Sequence, residues 1–198
     1  MVAPRTVSFG ILLVITGVIG WASSFALTLD KIAVLENPDA ALSCSFSVLI
    51  DCGVNLQSWQ GEVFGFPNPL VGLAAFVVPI LLGVALLGGV RFPRWFWHGF
   101  LVGVTLGIAW VVWFIVQSIY VLGTLCPWCM TMWVAMIPMF WASVSYVFGS
   151  PSSYFPPRVR AFFANAYSWV WLVVLASYVV VALLAQLRLD WLGSEFGL

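Results

Sequence analysis

The sequence predicts an all-α integral membrane protein with five spans, and three observations carry that reading. Only 7% of the 198 residues are charged and 63% are apolar, whereas a soluble domain carries about 25% charged residues. A chain this poor in charge has lipid as its solvent. The apolar residues also fall into five long runs, separated by short breaks rich in Pro, Gly and Arg. In lipid each backbone polar group must be satisfied within its own segment, which makes runs of this length helices. Acids and bases balance at seven each, and no basic cluster points to nucleic acid. The single histidine, His98, cannot build a multi-histidine metal site.

The first span, 9–29, has no charge and follows Arg5. The alternative, a cleaved secretory leader, has an apolar core of about 7–15 residues, shorter than this run. A polar loop, 30–68, comes next. It holds Lys31, Glu36, Asp39, Asp51, Glu62 and two cysteines, Cys44 and Cys52. Residues 54–63 are expected to form a short helix on the membrane surface. Gly65-Phe66-Pro67-Asn68-Pro69 then breaks the chain and starts the next element.

The second span is 70–90, with Pro79 as an expected kink. Arg91, Pro93 and Arg94 make a turn, and Trp95, Phe96 and Trp97 suit the interfacial aromatic belt. In the third span, 97–122, Gly99, Gly103 and Gly107 share one helix face, which predicts close approach of a neighbouring helix. Gly123-Thr124 is a short turn, and Pro127 suits the first turn of the fourth span, 126–148. A Pro/Ser-rich loop, 149–162, carries Arg158 and Arg160, and the fifth span is 167–187. Arg188, Asp190 and a short tail follow; no function attaches to Gly193-Ser194-Glu195-Phe196.

Charge sets the expected topology. With the N-terminus in the cytoplasm, Arg5, Arg91, Arg94, Arg158 and Arg160 lie inside, and only Lys31 and Arg188 lie outside, as the positive-inside rule requires. All four cysteines then face the oxidising outer compartment, where disulfides persist.

Cys126 and Cys129 form a Cys-x-x-Cys at the start of the fourth span. Three readings compete for them. Two buried packing cysteines would leave the spacing around Pro127 unexplained. A zinc site would need Cys44 and Cys52 as its other half, and seven intervening residues are too many for the usual spacing. A redox pair fits best, because this spacing and a helix N-terminus both favour a thiolate. Cys44 and Cys52 are either a staple for the loop or the mobile half of a relay. Exchange needs a thiolate that reaches a second disulfide, and a loop moves more readily than a helix start. No haem ligand set, iron–sulfur spacing or dinucleotide glycine motif is present. A membrane-soluble carrier, a quinone, remains as the electron acceptor.

Together the motifs resemble the vitamin K epoxide reductase (VKOR) family. The matching residues are Cys44-Ser45, Cys52, Ser58 six residues later, Phe64-Gly65, and Cys126-Pro127-Trp128-Cys129, with 21–31 similar to bacterial members. The likeness covers about residues 10–145. It implies a four-helix transmembrane bundle around a quinone, capped by the cysteine loop; here a fifth transmembrane helix follows, and the whole chain is one domain. Bacterial members often lead into a fused thioredoxin-like domain. This chain ends at Leu198, so the redox partner is expected to be a separate DsbA-like or thioredoxin-like protein at the bacterial cytoplasmic membrane.

The resemblance also implies an order of events. The reduced partner attacks Cys44, Cys52 attacks Cys126, and Cys129 passes the electrons to the quinone. Ser58 and Phe64 are the expected quinone neighbours. Trp133 stands where many vertebrate members have a tyrosine, and Gly61 where they have an asparagine. The quinone contacts should therefore differ, and menaquinone or ubiquinone fits better than vitamin K epoxide. Gln117, Ser118 and Tyr120 are polar candidates for replacement contacts, Gln117 foremost, although ordinary interhelical hydrogen bonding accounts better for all three. A DsbB-type enzyme would carry the two cysteine pairs in the opposite order. A rival of another class is a disulfide-stapled transporter or assembly subunit, which would place charged groups within its spans; the spans hold none.

Overall fold

The computed structural model describes residues 4–38, 42–150, 154–190 and 193. Asp39 of the polar loop, positions 151–153 of the Pro/Ser-rich stretch and the tail beyond Asp190, apart from Gly193, lie outside the described residues. The described chain is helical, and five of its helical stretches are long and apolar enough to cross a membrane.

Helix α1 spans Pro4–Glu36, two turns beyond the expected first span. Ile32, Ala33, Val34 and Leu35 continue the apolar run, and Pro38 stops it, because the residues before a proline avoid helical geometry. The segment expected as one surface helix is two pieces: α2, Gly53–Gln57, and a 3-10 turn, Trp59–Glu62. Ser58 breaks them, with ψ at 156°. Helix α3 is Pro69–Leu87, with Pro79 inside it. Helix α4, Arg94–Val116, runs on into a π-helical turn, Gln117–Leu122, which Gly123 ends at φ 69°. Helix α5 is Pro127–Phe148. The fifth crossing begins ten residues earlier than expected. It comprises α6, Pro157–Ala166, a 3-10 turn, Tyr167–Trp169, and α7, Val170–Leu189. Pro157 starts it because proline at the first helical position loses no hydrogen bond.

α1 packs on α3 along its length and also on α5. α5 in turn holds α4, α6 and α7. α3 and α4 are consecutive but scarcely touch. Small residues decide the closest approach. A Cβ on Gly83 would lie 2.6 Å from the Gly10 carbonyl oxygen, and one on Gly17 would lie 2.7 Å from Ile80. The glycine face expected on the third span does not play this part. Cβ atoms on Gly99 and Gly103 would meet nothing within 4 Å, and only Gly107 is close to a neighbour, Met136. A period of four marks a face, but the choice of face to bury belongs to the partner helix.

The two ends of the bundle differ in chemistry. Arg5 donates to the Ser145 carbonyl at 2.5 Å and lies over the rings of Tyr146 and Tyr167. Arg94 lies over Tyr154 at the same end. All four cysteines are at the other end, where the loop after α1 meets the start of α5.

Candidate redox site

The site is built by a short piece of parallel pairing. Leu125 donates its N–H to the Leu49 carbonyl at 2.8 Å, and Asp51 donates its own to the Leu125 carbonyl at 3.2 Å. Each strand of this bridge leads directly into a cysteine, Cys52 on one side and Cys126 on the other. The bridge thereby fixes their register.

Cys44 and Cys52 are disulfide-bonded, and Cys126 and Cys129 are free thiols. The Cys52 and Cys126 sulfurs are 3.0 Å apart. Cys126 is the N-cap of α5, and its sulfur accepts the Cys129 N–H at 3.3 Å. That N–H is one of the donors a helix start leaves unpaired. Here it is turned to the Cys126 sulfur. The chain of sulfurs therefore runs Cys44, Cys52, Cys126, with Cys129 one turn into the helix. All four are buried.

The loop is more firmly held than its length implies. The Asp51 carboxylate caps α2, accepting the N–H of Gly53 at 3.0 Å and of Val54 at 3.3 Å, and it also accepts the Ser45 hydroxyl. Partial burial pushes the Asp51 carboxyl up, but the Ser45 hydroxyl and the N–H groups of Gly53, Val54 and Cys52 outweigh it, and the net pKa is below the usual value. A lowered folded-state pKa stabilises the fold above the unfolded value and ceases to do so as pH falls through the folded one. Thermal stability should thus drop on acidification below the ordinary carboxylate range of about 4. In Asp51→Asn that drop should be smaller, as thermal melts across pH would register.

Lys31 ties the same loop to α1. Its ammonium donates to the Leu56 carbonyl at 2.6 Å and pairs with Glu62 at 2.7 Å. Next to it, Asp30 accepts the Ser43 hydroxyl at 2.9 Å, and Ser43 accepts the indole N–H of Trp128 at 3.2 Å. Asp30 Oδ2 also lies 3.3 Å from the Cys44 sulfur.

The expected quinone neighbours divide. Ser58 is spent on the chain, donating to the Asn55 carbonyl at 2.8 Å. Gln117 accepts from the Gln60 amide at 3.2 Å, and Asn68 donates in turn to the Gln60 carbonyl at 2.5 Å. Phe64 is half exposed and stacked on Trp110, with ring centres 5.1 Å apart. Trp133 is buried in α5, one turn beyond Cys129. Tyr120 is exposed. Gly61 has no room for a side chain: a Cβ there would lie 2.6 Å from the Asn55 carbonyl oxygen.

Several residues of this region were not legible as site residues. Asp30 and Ser43 look like ordinary loop polars until α1 is seen to extend past Asp30 and the loop to fold Ser43 back onto it. Asn55, Ser118 and Thr124 are buried with side-chain polar atoms that have no hydrogen-bond partner among the described residues. Ser118 alone stood out in the sequence, as a polar residue near the end of an apolar span.

A helical membrane bundle that brings one cysteine pair into sulfur contact with another has the parts of a membrane thiol–disulfide oxidoreductase. The family comparison agrees. Residues 11–144 match the model of the vitamin K epoxide reductase family, and the chain belongs to that family, whose members act on thiols and quinones. No curated protein and no solved structure matches the chain.

Proposed function

We propose that this protein oxidises a dithiol partner outside the cytoplasm and passes the electrons to a membrane quinone, generating disulfides. The contact between Cys52 and Cys126 at 3.0 Å carries the reading. A partner thiolate attacks Cys44, forming a mixed disulfide and leaving the electron pair on Cys52. Cys52 attacks Cys126 of an oxidised Cys126–Cys129 pair, and the electron pair passes to Cys129. The partner's second thiol resolves the mixed disulfide at Cys44, and Cys44 attacks Cys52 and releases Cys126 with the electron pair. The Cys126–Cys129 disulfide re-forms as two electrons and two protons pass by way of Cys129 to the quinone. In this reading Cys44, Cys52, Cys126 and Cys129 are the catalytic residues.

The scant contact between α3 and α4 supports lateral entry of a quinone from lipid. Phe64, Trp133, Gln117 and Ser58 are the residues proposed to contact its ring. The donor is a DsbA-like or thioredoxin-like protein, and the acceptor is menaquinone or ubiquinone. The N-terminus and Arg5, Arg91, Arg94, Arg158 and Arg160 are cytoplasmic by the positive-inside rule. A staple in a transporter would give the Cys44–Cys52 disulfide no reason to touch a free thiol.

The test is direct. Purified protein in lipid, given a reduced thioredoxin-fold oxidoreductase and a short-chain ubiquinone or menaquinone, should consume two thiols, one partner dithiol, for each quinone reduced. Thiol oxidation that proceeds equally without quinone, or no quinone reduction with any such donor, would overturn the proposal.

A further inference from the structure

Asp30 is the one acidic side chain of α1 set against the redox sulfurs, and the relay just described leaves it without a part. Its carboxylate is 8% exposed. One oxygen, Oδ2, accepts the Ser43 hydroxyl at 2.9 Å and lies 3.3 Å from the Cys44 sulfur. Ser43 in turn accepts the Trp128 indole N–H at 3.2 Å, and Trp128 stands between Cys126 and Cys129. A single chain of contacts thus runs from α1 through the residue before Cys44 into the middle of the Cys-x-x-Cys.

The two loop sulfurs therefore sit in opposite surroundings. Cys44 has a carboxylate against it. Cys52 has Cys126 at 3.0 Å. A negative charge this close disfavours a second one on the neighbouring sulfur. The other ionisable groups around the pair are engaged or are sulfurs of the relay. Lys31 is paired with Glu62, and Asp51 is held by Ser45 and backbone N–H groups.

We propose that Asp30 is a positioning residue that keeps Cys44 as a thiol whenever the Cys44–Cys52 bond is open, so that the thiolate resides on Cys52. The inference deepens the relay read above and rests on it. When the partner's second thiolate attacks the partner's own sulfur, the partner disulfide forms and the partner–Cys44 bond breaks. Cys44 leaves with the electron pair, takes up a proton and donates it in a hydrogen bond to Asp30 Oδ2. The next exchange at Cys44 begins when that proton leaves and Cys44 attacks Cys52 of the Cys52–Cys126 bridge. That attack re-forms Cys44–Cys52 and releases Cys126. No electrons beyond the partner's pair are needed.

The test reads the sulfur itself and needs neither quinone nor partner. The fully reduced protein is alkylated with iodoacetamide across pH, and the rate at each cysteine is followed by mass spectrometry. The pH midpoint of each rate reports protonation whatever the accessibility. Asp30→Asn keeps the shape and the acceptor for Ser43 but removes the charge. The Cys44 midpoint should fall by about one pH unit or more, a rise of roughly tenfold in alkylation rate at neutral pH, while the Cys52 midpoint moves little. Asp30→Glu should restore the native midpoint.

An unchanged Cys44 midpoint in Asp30→Asn, in protein whose melting shows it folded, overturns the proposal. So does an equal shift at Cys52, which would mean a general loosening of the loop. If both variants unfold, Trp128→Phe serves instead. It removes the indole N–H from Ser43 and leaves the charge, so the midpoint should hold, and a fall of the Asp30→Asn size would overturn the assignment to Asp30. Absent quinone reduction with the expected midpoint shift would refute the proposed function and leave the Asp30 assignment standing.

Discussion

Cys129→Ala is expected to reduce thiol-dependent quinone reduction by roughly a thousandfold or more while the folded bundle persists, since the step it removes has no substitute nucleophile. The replacement is small and lies at the mouth of α5, so packing loses little. The second readout is more specific. With Cys129 gone, only Cys44 is left to open a bond between Cys52 and Cys126, whose sulfurs are already in contact, and an oxidised partner that takes Cys44 into a mixed disulfide blocks that route. A Cys52–Cys126 bridge should accumulate on exposure to an oxidised thioredoxin-fold protein, visible as a linked peptide in mass spectrometry. Finding only Cys44–Cys52 in that variant would argue that the loop disulfide is a staple. Cys126→Ala should be equally inactive but give no such bridge, which separates the two cysteines by role.

Gly83→Val is expected to destabilise the fold severely, at or beyond the upper end of the 1–3 kcal/mol that overpacking costs. The added Cβ would meet the Gly10 carbonyl oxygen at 2.6 Å and the Val14 backbone nitrogen at 3.0 Å. Neither is the end of a flexible side chain, so α1 and α3 must separate. The consequence reaches the redox site, because the outer turns of α1 carry Asp30 and Lys31, which hold the loop. Gly103→Val is the matched control. Nothing lies within 4 Å of its Cβ direction, and its melting temperature should stay near that of the native chain. A comparison of the two melts in the same detergent decides the point. Equal effects would show that the tight α1–α3 contact does not govern stability.

The sequence was informative where a single physical constraint acts over a long stretch. Lipid demands an uninterrupted apolar helix, so five spans can be read from hydropathy alone, and each corresponds to a helix crossing. Pro127 and the helix start at Cys126 were equally legible, because proline fits a first turn and little else nearby could start one. Element ends were harder. α1 runs to Glu36 because Lys31 finds Glu62 and Leu56, partners far along the chain. α6 begins at Pro157 in a stretch whose prolines and arginines read as loop. The single surface helix expected at 54–63 is interrupted because Ser58 turns its hydroxyl back to Asn55, a local bond that competes with helix continuation.

By itself, the sequence determined that this is a helical membrane protein, that its cysteines come as two pairs, and which family it resembles. Those properties follow from composition, spacing and motif order, which are one-dimensional. Only the tertiary structure decided which sulfur meets which, which glycines let helices touch, and which polar side chains surround the pair. A two-residue bridge between Ile50 and Leu125 brings Cys52 to Cys126 across 74 residues of chain. No local pattern encodes that pairing, because it exists only once α1 and α5 have packed. The same packing turns Asp30 from the first polar residue after an apolar run into a carboxylate against Cys44.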